Sequence, residues 1–163
     1  MVKIVECQQQ HFHALSYSLS PEQAKFTALP SVWFADLNAK KPWKAFSILS
    51  DDEPVGFFVL DQGEDRQKYS DNPQAVLLRS MSIHPDFQGL GIAKQALSHQ
   101  RLMSLLLHYF PNSHEIVLGV NHLNQRAYAF YLACGFKHTQ RELMGIRGKQ
   151  YILSLDFSIC KHS

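Results

Sequence analysis

The chain of 163 residues suits one compact domain, since domains commonly contain about 100–150 residues, and we expect residues 1–163 to form a single domain. Its composition, 45% hydrophobic and 18% charged, excludes wholesale disorder. The 16 basic and 14 acidic residues leave a net charge of +2 and form no basic stripe, which argues against nucleic-acid binding by charge alone.

The N-terminal third begins with a strand candidate at 2–5, an apolar run with β-branched residues. Residues 20–22, Ser-Pro-Glu, predict a helix start, because serine can cap a helix, proline suits its first turn and glutamate suits its positive end. Residues 30–43 contain several aromatic residues without a clear period, so their structure is left open.

The middle of the chain predicts three strands. Apolar runs at 45–49 and 55–60 flank a polar turn and therefore indicate a β-hairpin. Residues 61–73 predict a polar loop. The run 75–83 predicts a long strand that ends where His84-Pro85 blocks further ladder bonding.

The C-terminal half alternates helices and strands. The apolar period predicts helices over 89–108 and 124–134, and compact strands at 116–120, 136–139 and 151–155. With the preceding elements, the order is one strand, helices, three strands, a helix, a strand, a helix and two strands. This order predicts an α/β fold with a mixed, mainly antiparallel sheet.

The cysteines and the apolar runs indicate the cellular compartment of the protein. Cys7, Cys134 and Cys160 are odd in number and lack CxxC spacing, which argues against a disulfide framework and a cysteine zinc site. The first residues do not form a secretory signal, and no run approaches the ~20 apolar residues of a membrane span. We therefore expect a cytoplasmic protein without a membrane partner.

The segment that carries most chemical information is Gln88-Gly89-Leu90-Gly91-Ile92-Ala93, between a strand and an amphipathic helix. Its two glycines allow close backbone approach, and the helix start offers unpaired N–H groups, which suits a phosphate or pyrophosphate. The Lys-Ser/Thr pair of a Walker A loop and the third glycine of a dinucleotide fingerprint are both missing. A tight strand-to-helix turn without a ligand is the alternative.

Two motifs resemble one known family. The pattern M-x-I-x-P-x-F-Q-G-x-G-I-A at 81–93 resembles the acetyl-CoA signature of the GCN5-related N-acetyltransferase (GNAT) superfamily. The pattern N-x-x-A-x-x-F-Y-x-x-x-G-F at 124–136 resembles the second signature of that superfamily, in the family's order and spacing. The resemblance implies a GNAT fold of about seven strands with flanking helices. Shorter matches at 22–26 and 54–57 resemble its small-amine and polyamine acetyltransferases.

The resemblance also implies which residues bind acetyl-CoA, the co-substrate. The strand before the loop would hold the pantetheine arm by its main chain, and one of its N–H groups could stabilise the tetrahedral oxyanion. The loop would donate N–H groups to the pyrophosphate, and Asn124 would cap its helix or bond the CoA arm. The expected cofactor-binding residues are Met81, Ser82, Ile83, Gln88, Gly89, Leu90, Gly91, Ile92, Ala93 and Asn124.

Tyr131 matches the family tyrosine that acts as general acid and protonates the departing CoA thiolate. Orientation of the thiol, or simple packing in a helix face, are the alternatives. The general base is not identified, because the strand at 76–83 contains no acidic residue. A water chain ending on Glu22, His122 or a backbone carbonyl remains open.

The acceptor side is less defined. Trp33, Phe34 and Trp43 lie where relatives have an acceptor lid, and their rings could attract an ammonium group or pack as core. The nine histidines show no zinc-like spacing, so no metal is expected. The residues expected to face the substrate are Glu22, Phe26, Trp33 and His122.

The resulting hypothesis is an N-acetyltransferase that transfers the acetyl group of acetyl-CoA to a primary amine of a small, polyamine-like molecule. The amine would attack directly in a ternary complex. A protein or peptide N-acetyltransferase and a non-catalytic acyl-CoA-binding domain stay open as alternatives. Because relatives often form dimers, the resemblance also implies a homodimer.

Overall fold

The computed structural model describes residues 1–157, so Cys160 lies outside the described residues. Seven strands form one sheet in the order β1-β2-β3-β4-β5-β7-β6. They are β1 (Val2–Glu6), β2 (Trp43–Ser50), β3 (Glu53–Asp61), β4 (Val76–Ile83), β5 (Glu115–Asn121), β6 (Lys137–Gly145) and β7 (Gly148–Asp156). β4 and β5 are parallel, whereas β1 and β2, β5 and β7, and β6 and β7 are antiparallel. The predicted mixed α/β sheet is confirmed.

The helices are shorter than the sequence predicted. They are α1 (Pro21–Ala24), α2 (Ile92–Ala96), α3 (His99–Tyr109) and α4 (Gln125–Ala133). Within residues 1–157, four 3-10 helices lie at Gln9–His11, Pro30–Asp36, Glu64–Lys68 and Pro85–Phe87. The single helix predicted over 89–108 was wrong, because the Ser98 hydroxyl accepts a hydrogen bond from the Arg101 N–H and starts a separate helix.

The chain forms two compact units, of which the first comprises Met1–Leu60 and Arg79–Ala96. β1 and β2 pair here, with Ile4 opposite Ile48. Aromatic and aliphatic side chains from the N-terminal third pack together in one cluster of this unit. The buried members are Cys7, Leu15, Tyr17, Ala45, Phe57 and Val59, and half-buried residues around them include Phe12, Trp33, Phe34 and Trp43. The aromatic residues of 30–43 therefore contribute to a core.

The second unit comprises Asp61–Leu78 and the chain from Leu97, described to residue 157. β5 pairs with β7 along its whole length, from Glu115 opposite Asp156 to Asn121 opposite Gln150. The parallel ladder between β4 and β5 is short and has two residue pairs, the last being Leu77 with Val117. No helix among residues 1–157 has the length and apolar character needed to cross a membrane.

Candidate active site

The turn between β4 and α2 depends on two glycines in the left-handed region. Gly89 has φ 77° and Gly91 has φ 78°, values that residues with a side chain rarely adopt. A Cβ atom at Gly89 would meet no atom within 4 Å, and one at Gly91 would meet only the Gln95 side-chain nitrogen at 4.0 Å. Backbone conformation, and not crowding by the protein, therefore makes glycine necessary here.

The main chain of this turn presents unpaired donors. The N–H groups from Gly89 to Lys94 have no acceptor among residues 1–157, and the next backbone bond runs from the Gln95 N–H to the Gly91 carbonyl at 3.1 Å. Such donors suit the oxygens of a pyrophosphate. Because α2 has only five residues, its helix dipole is weak. Hydrogen bonds from the N–H groups would therefore contribute most of the attraction for an anion.

The Gln88 side chain anchors this turn within the first unit. Its Nε2 donates to the Ile83 carbonyl at 2.9 Å and to Gln23 Oε1 at 3.2 Å, while Gln23 Nε2 donates to Gln88 Oε1 at 3.0 Å. The sequence predicted only a main-chain role for Gln88. The paired amides join α1 to the end of β4, a positioning role that the sequence reasoning missed.

Tyr17 is a second residue that the sequence reasoning missed. Its buried hydroxyl lies 2.6 Å from the Ser82 hydroxyl, in the middle of the strand segment expected to hold pantetheine. Burial raises the pKa of Tyr17 to about 12, which disfavours ionisation of the phenol further. No local motif marks Tyr17 in the sequence.

The three substrate candidates of the first unit differ in exposure. Glu22 is exposed in the first turn of α1, and Phe26 is half-buried just after that helix. Trp33 donates from Nε1 to Ser80 Oγ at 3.0 Å, and the Arg79 guanidinium carbon lies 5.4 Å from the centre of its ring. Because Arg79 covers one face of this indole, that face does not attract a substrate ammonium group.

Asn124 performs the predicted cap in the second unit. Its Oδ1 accepts a hydrogen bond from the Ala127 N–H at 3.3 Å at the start of α4. At the other end of the helix, Gly135 has φ 102°, a conformation that commonly ends a helix. The contact of Asn124 with the CoA arm stays a prediction.

Replacement of Asn124 by alanine is expected to lower the free energy of unfolding by about 1 kcal/mol, because the Ala127 N–H loses its acceptor. Urea unfolding followed by circular dichroism measures this change. Asn124→Ser serves as the control, since serine caps a helix comparably, and it should unfold near the wild-type midpoint. Equal losses in both variants would contradict the capping role.

Tyr131 lies in α4 with its ring between aromatic neighbours. The ring centre is 5.2 Å from that of Phe130 and 5.7 Å from that of Phe136. Burial, and to a smaller extent the nearby Cys134 thiol, raise the pKa of Tyr131 above its ordinary value. Its hydroxyl has no hydrogen-bond partner among residues 1–157, so it is a protonated donor available to a ligand.

His122 follows β5, and its ring bonds the main chain. Its Nδ1 lies 3.1 Å from the Lys149 carbonyl oxygen, which can only accept, so Nδ1 donates this hydrogen bond and Nε2 is the ring nitrogen left for another contact. This arrangement suits a group that accepts a proton at Nε2. In the part of the chain that the structure describes, no three His, Cys, Asp or Glu side chains are grouped to hold a metal ion.

Comparisons with known proteins agree on one family. A model of the acetyltransferase (GNAT) family matches residues 9–136. The uncharacterized N-acetyltransferase YbbJ of Bacillus subtilis (strain 168) is 38% identical over 139 residues, which cover 85% of this chain and 86% of that protein.

Solved structures share the fold at low sequence identity. The aminoglycoside acetyltransferase AAC(6')-Ib in complex with coenzyme A has a TM-score of 0.74 at 14% identity, covering 100% of this chain and 99% of that chain. Spermidine N-acetyltransferase from Vibrio cholerae, in complex with CoA and spermine, has a TM-score of 0.64 at 16% identity. The match covers 96% of this chain and 96% of that chain. The extent of the family match and the identity to YbbJ show that the chain belongs to the GNAT family of acetyltransferases.

Proposed function

We propose that this acyltransferase moves the acetyl group of acetyl-CoA to a primary amine of a small molecule. The observation that carries the proposal is the turn with two left-handed glycines and unpaired N–H groups, in a chain of the GNAT family. Proteins of similar fold support a small amine as acceptor, since they include an aminoglycoside acetyltransferase and a spermidine N-acetyltransferase in complex with spermine. The family model covers parts of both compact units, which supports one catalytic domain.

The cofactor would be held mainly by main-chain groups. The pantetheine arm would bond the backbone of Met81, Ser82 and Ile83 like an added strand, and the N–H groups from Gly89 onward would hold the pyrophosphate. The Tyr17–Ser82 bond and the Gln88 amide fix this segment of chain before the cofactor arrives. Preorganised donors of this kind reduce the entropy lost on binding.

The transfer would proceed in a ternary complex. The amine nitrogen attacks the thioester carbon, the carbonyl oxygen becomes an oxyanion stabilised by a strand N–H, and the C–S bond then breaks. The departing thiolate would receive a hydrogen bond, and then the proton, from the Tyr131 hydroxyl. Burial raises the pKa of Tyr131, which opposes release of the proton, so we propose that the hydrogen bond to the developing thiolate is the larger part of this role.

The amine must first lose a proton, because free amines are mostly charged at pH 7. β4 contains no acidic side chain, so we propose that the proton leaves through water. His122 would end that water chain, since Nδ1 is engaged with the Lys149 carbonyl and Nε2 is left for a water, whereas Glu22 is a solvent-exposed helix residue. Glu22 would instead attract the ammonium group of the acceptor.

An amine panel tests the proposal. Acetyl-CoA is incubated separately with spermine, kanamycin and a lysine-containing peptide, and released CoA thiol is measured against a reaction without amine. Thiol release with a small amine is expected, with intersecting double-reciprocal plots because direct attack needs both substrates bound. Release with the peptide alone would favour a protein N-acetyltransferase. Acetyl-CoA binding without any release would favour an acyl-CoA-binding domain.

A further inference from the structure

Ser80 has an uncommon backbone conformation for a residue within a strand. Its φ is 56°, in the left-handed region that residues other than glycine seldom occupy. This conformation is strained for serine, and a strained backbone conformation of this kind is kept only where surrounding contacts stabilise it. Ser80 directly precedes Met81, Ser82 and Ile83, the segment expected to hold the pantetheine arm.

The Ser80 hydroxyl accepts a hydrogen bond from an indole. Trp33, in the 3-10 helix Pro30–Asp36, donates from Nε1 to Ser80 Oγ at 3.0 Å. The position of the indole is itself fixed, because Arg79 lies over its ring and the Trp43 ring packs edge-on at 4.9 Å between centroids. The packed indole therefore has little freedom to move, and its hydrogen bond restrains the position of the Ser80 hydroxyl.

We propose that Trp33 is a positioning residue that holds Ser80 in its left-handed conformation and thereby orients the peptide group between Ser80 and Met81. The φ angle of a residue and the direction of its neighbouring peptide groups are coupled, so loss of the bond would rotate the N–H groups presented by β4. Trp33 then affects the rate through the main chain, without touching the amine. The effect on rate rests on the proposed acetyl transfer, whereas the effect on conformation does not.

The conformational effect is tested by NMR on the full chain labelled with ¹³C and ¹⁵N. Trp33→Phe keeps an aromatic ring and removes the N–H donor, and we expect the Ser80 Cα, Cβ and Met81 amide shifts to move toward values typical of extended backbone. Trp43→Phe is the matched control, since it keeps an aromatic ring beside Trp33 and removes an N–H that has no acceptor among residues 1–157. Unchanged Ser80 shifts in Trp33→Phe would overturn the inference.

The kinetic effect is tested by rescue. Trp33→Phe is expected to lower kcat about tenfold, since small displacements of catalytic groups cost this much or more, while the KM for acetyl-CoA stays within about twofold. Ser80→Gly in that variant should restore most of kcat, because glycine adopts positive φ without strain. A role in packing alone would give the same loss in Trp43→Phe and no rescue by glycine.

The two experiments separate this inference from the proposed function. If the wild-type chain acetylates none of the three amines, the proposed function fails, and the NMR comparison still decides whether Trp33 holds Ser80. If acetylation occurs but Trp33→Phe neither shifts the Ser80 signals nor lowers kcat, the inference fails and the proposed function stands.

Discussion

Phenylalanine in place of Tyr131 is expected to lower kcat for acetyl transfer by about 10²-fold, within the range that general acids contribute. The ring contacts with Phe130 and Phe136 survive this change, whereas the only proton donor of the side chain is lost. Acetyl-CoA affinity should stay near the wild-type value, because the interaction strengthens as negative charge develops on sulfur. Steady-state thiol release measures kcat, and calorimetry with acetyl-CoA measures affinity.

The control for this variant is Tyr128→Phe, which removes a hydroxyl from the same helix α4. The Tyr128 ring packs against His138 and Tyr151, with ring centroids 6.1 and 5.6 Å away, and we assign it no part in the chemistry. It should retain kcat within about twofold, as is typical of changes away from the reacting atoms. An unchanged kcat in Tyr131→Phe would exclude Tyr131 as the acid, and an equal loss in both variants would indicate a helix defect.

The sequence predicted most strands well, because their centres are apolar runs bounded by polar residues. β6 is the exception: a strand was expected at 136–139 but extends over Lys137–Gly145, and most of its residues are polar. β4 was expected over 75–83 and forms at Val76–Ile83, ending at His84 as the proline required. Helices were less predictable. The apolar period continues through Ser98, so nothing in the pattern distinguishes a residue within a helix from one that caps the next helix.

Within the candidate site, local features were predictable and distant contacts were not. The left-handed glycines and the Asn124 cap depend on residues a few positions apart. A short sequence motif contains all of these residues and therefore predicts both features. The bonds from Tyr17 to Ser82 and from Gln23 to Gln88 each join side chains 65 residues apart, and the bond from Trp33 to Ser80 spans 47. Such pairs follow from tertiary packing, for which a single sequence gives no spacing signal.

Gly91→Val is expected to abolish measurable acetyl-CoA binding. Gly91 has φ 78°, and a β-branched residue is a genuine outlier there, so the turn would refold toward negative φ and rotate its N–H donors away from the pyrophosphate. A Cβ would meet only Gln95 at 4.0 Å, so the fold itself has room for the side chain. Calorimetry with CoA measures the loss, and circular dichroism checks that the variant folds.

Gly148→Val separates strain from ligand binding, because Gly148 also has a positive φ, 109°, but begins β7 far along the chain from the glycine turn. Both variants should lose stability, by roughly 1–2 kcal/mol, since at each position valine must either strain the backbone at positive φ or refold it locally. Only Gly91→Val should lose CoA affinity. Normal CoA affinity in a folded Gly91→Val variant would refute the assignment of this turn to the pyrophosphate, since loss of the donor geometry is what the substitution imposes.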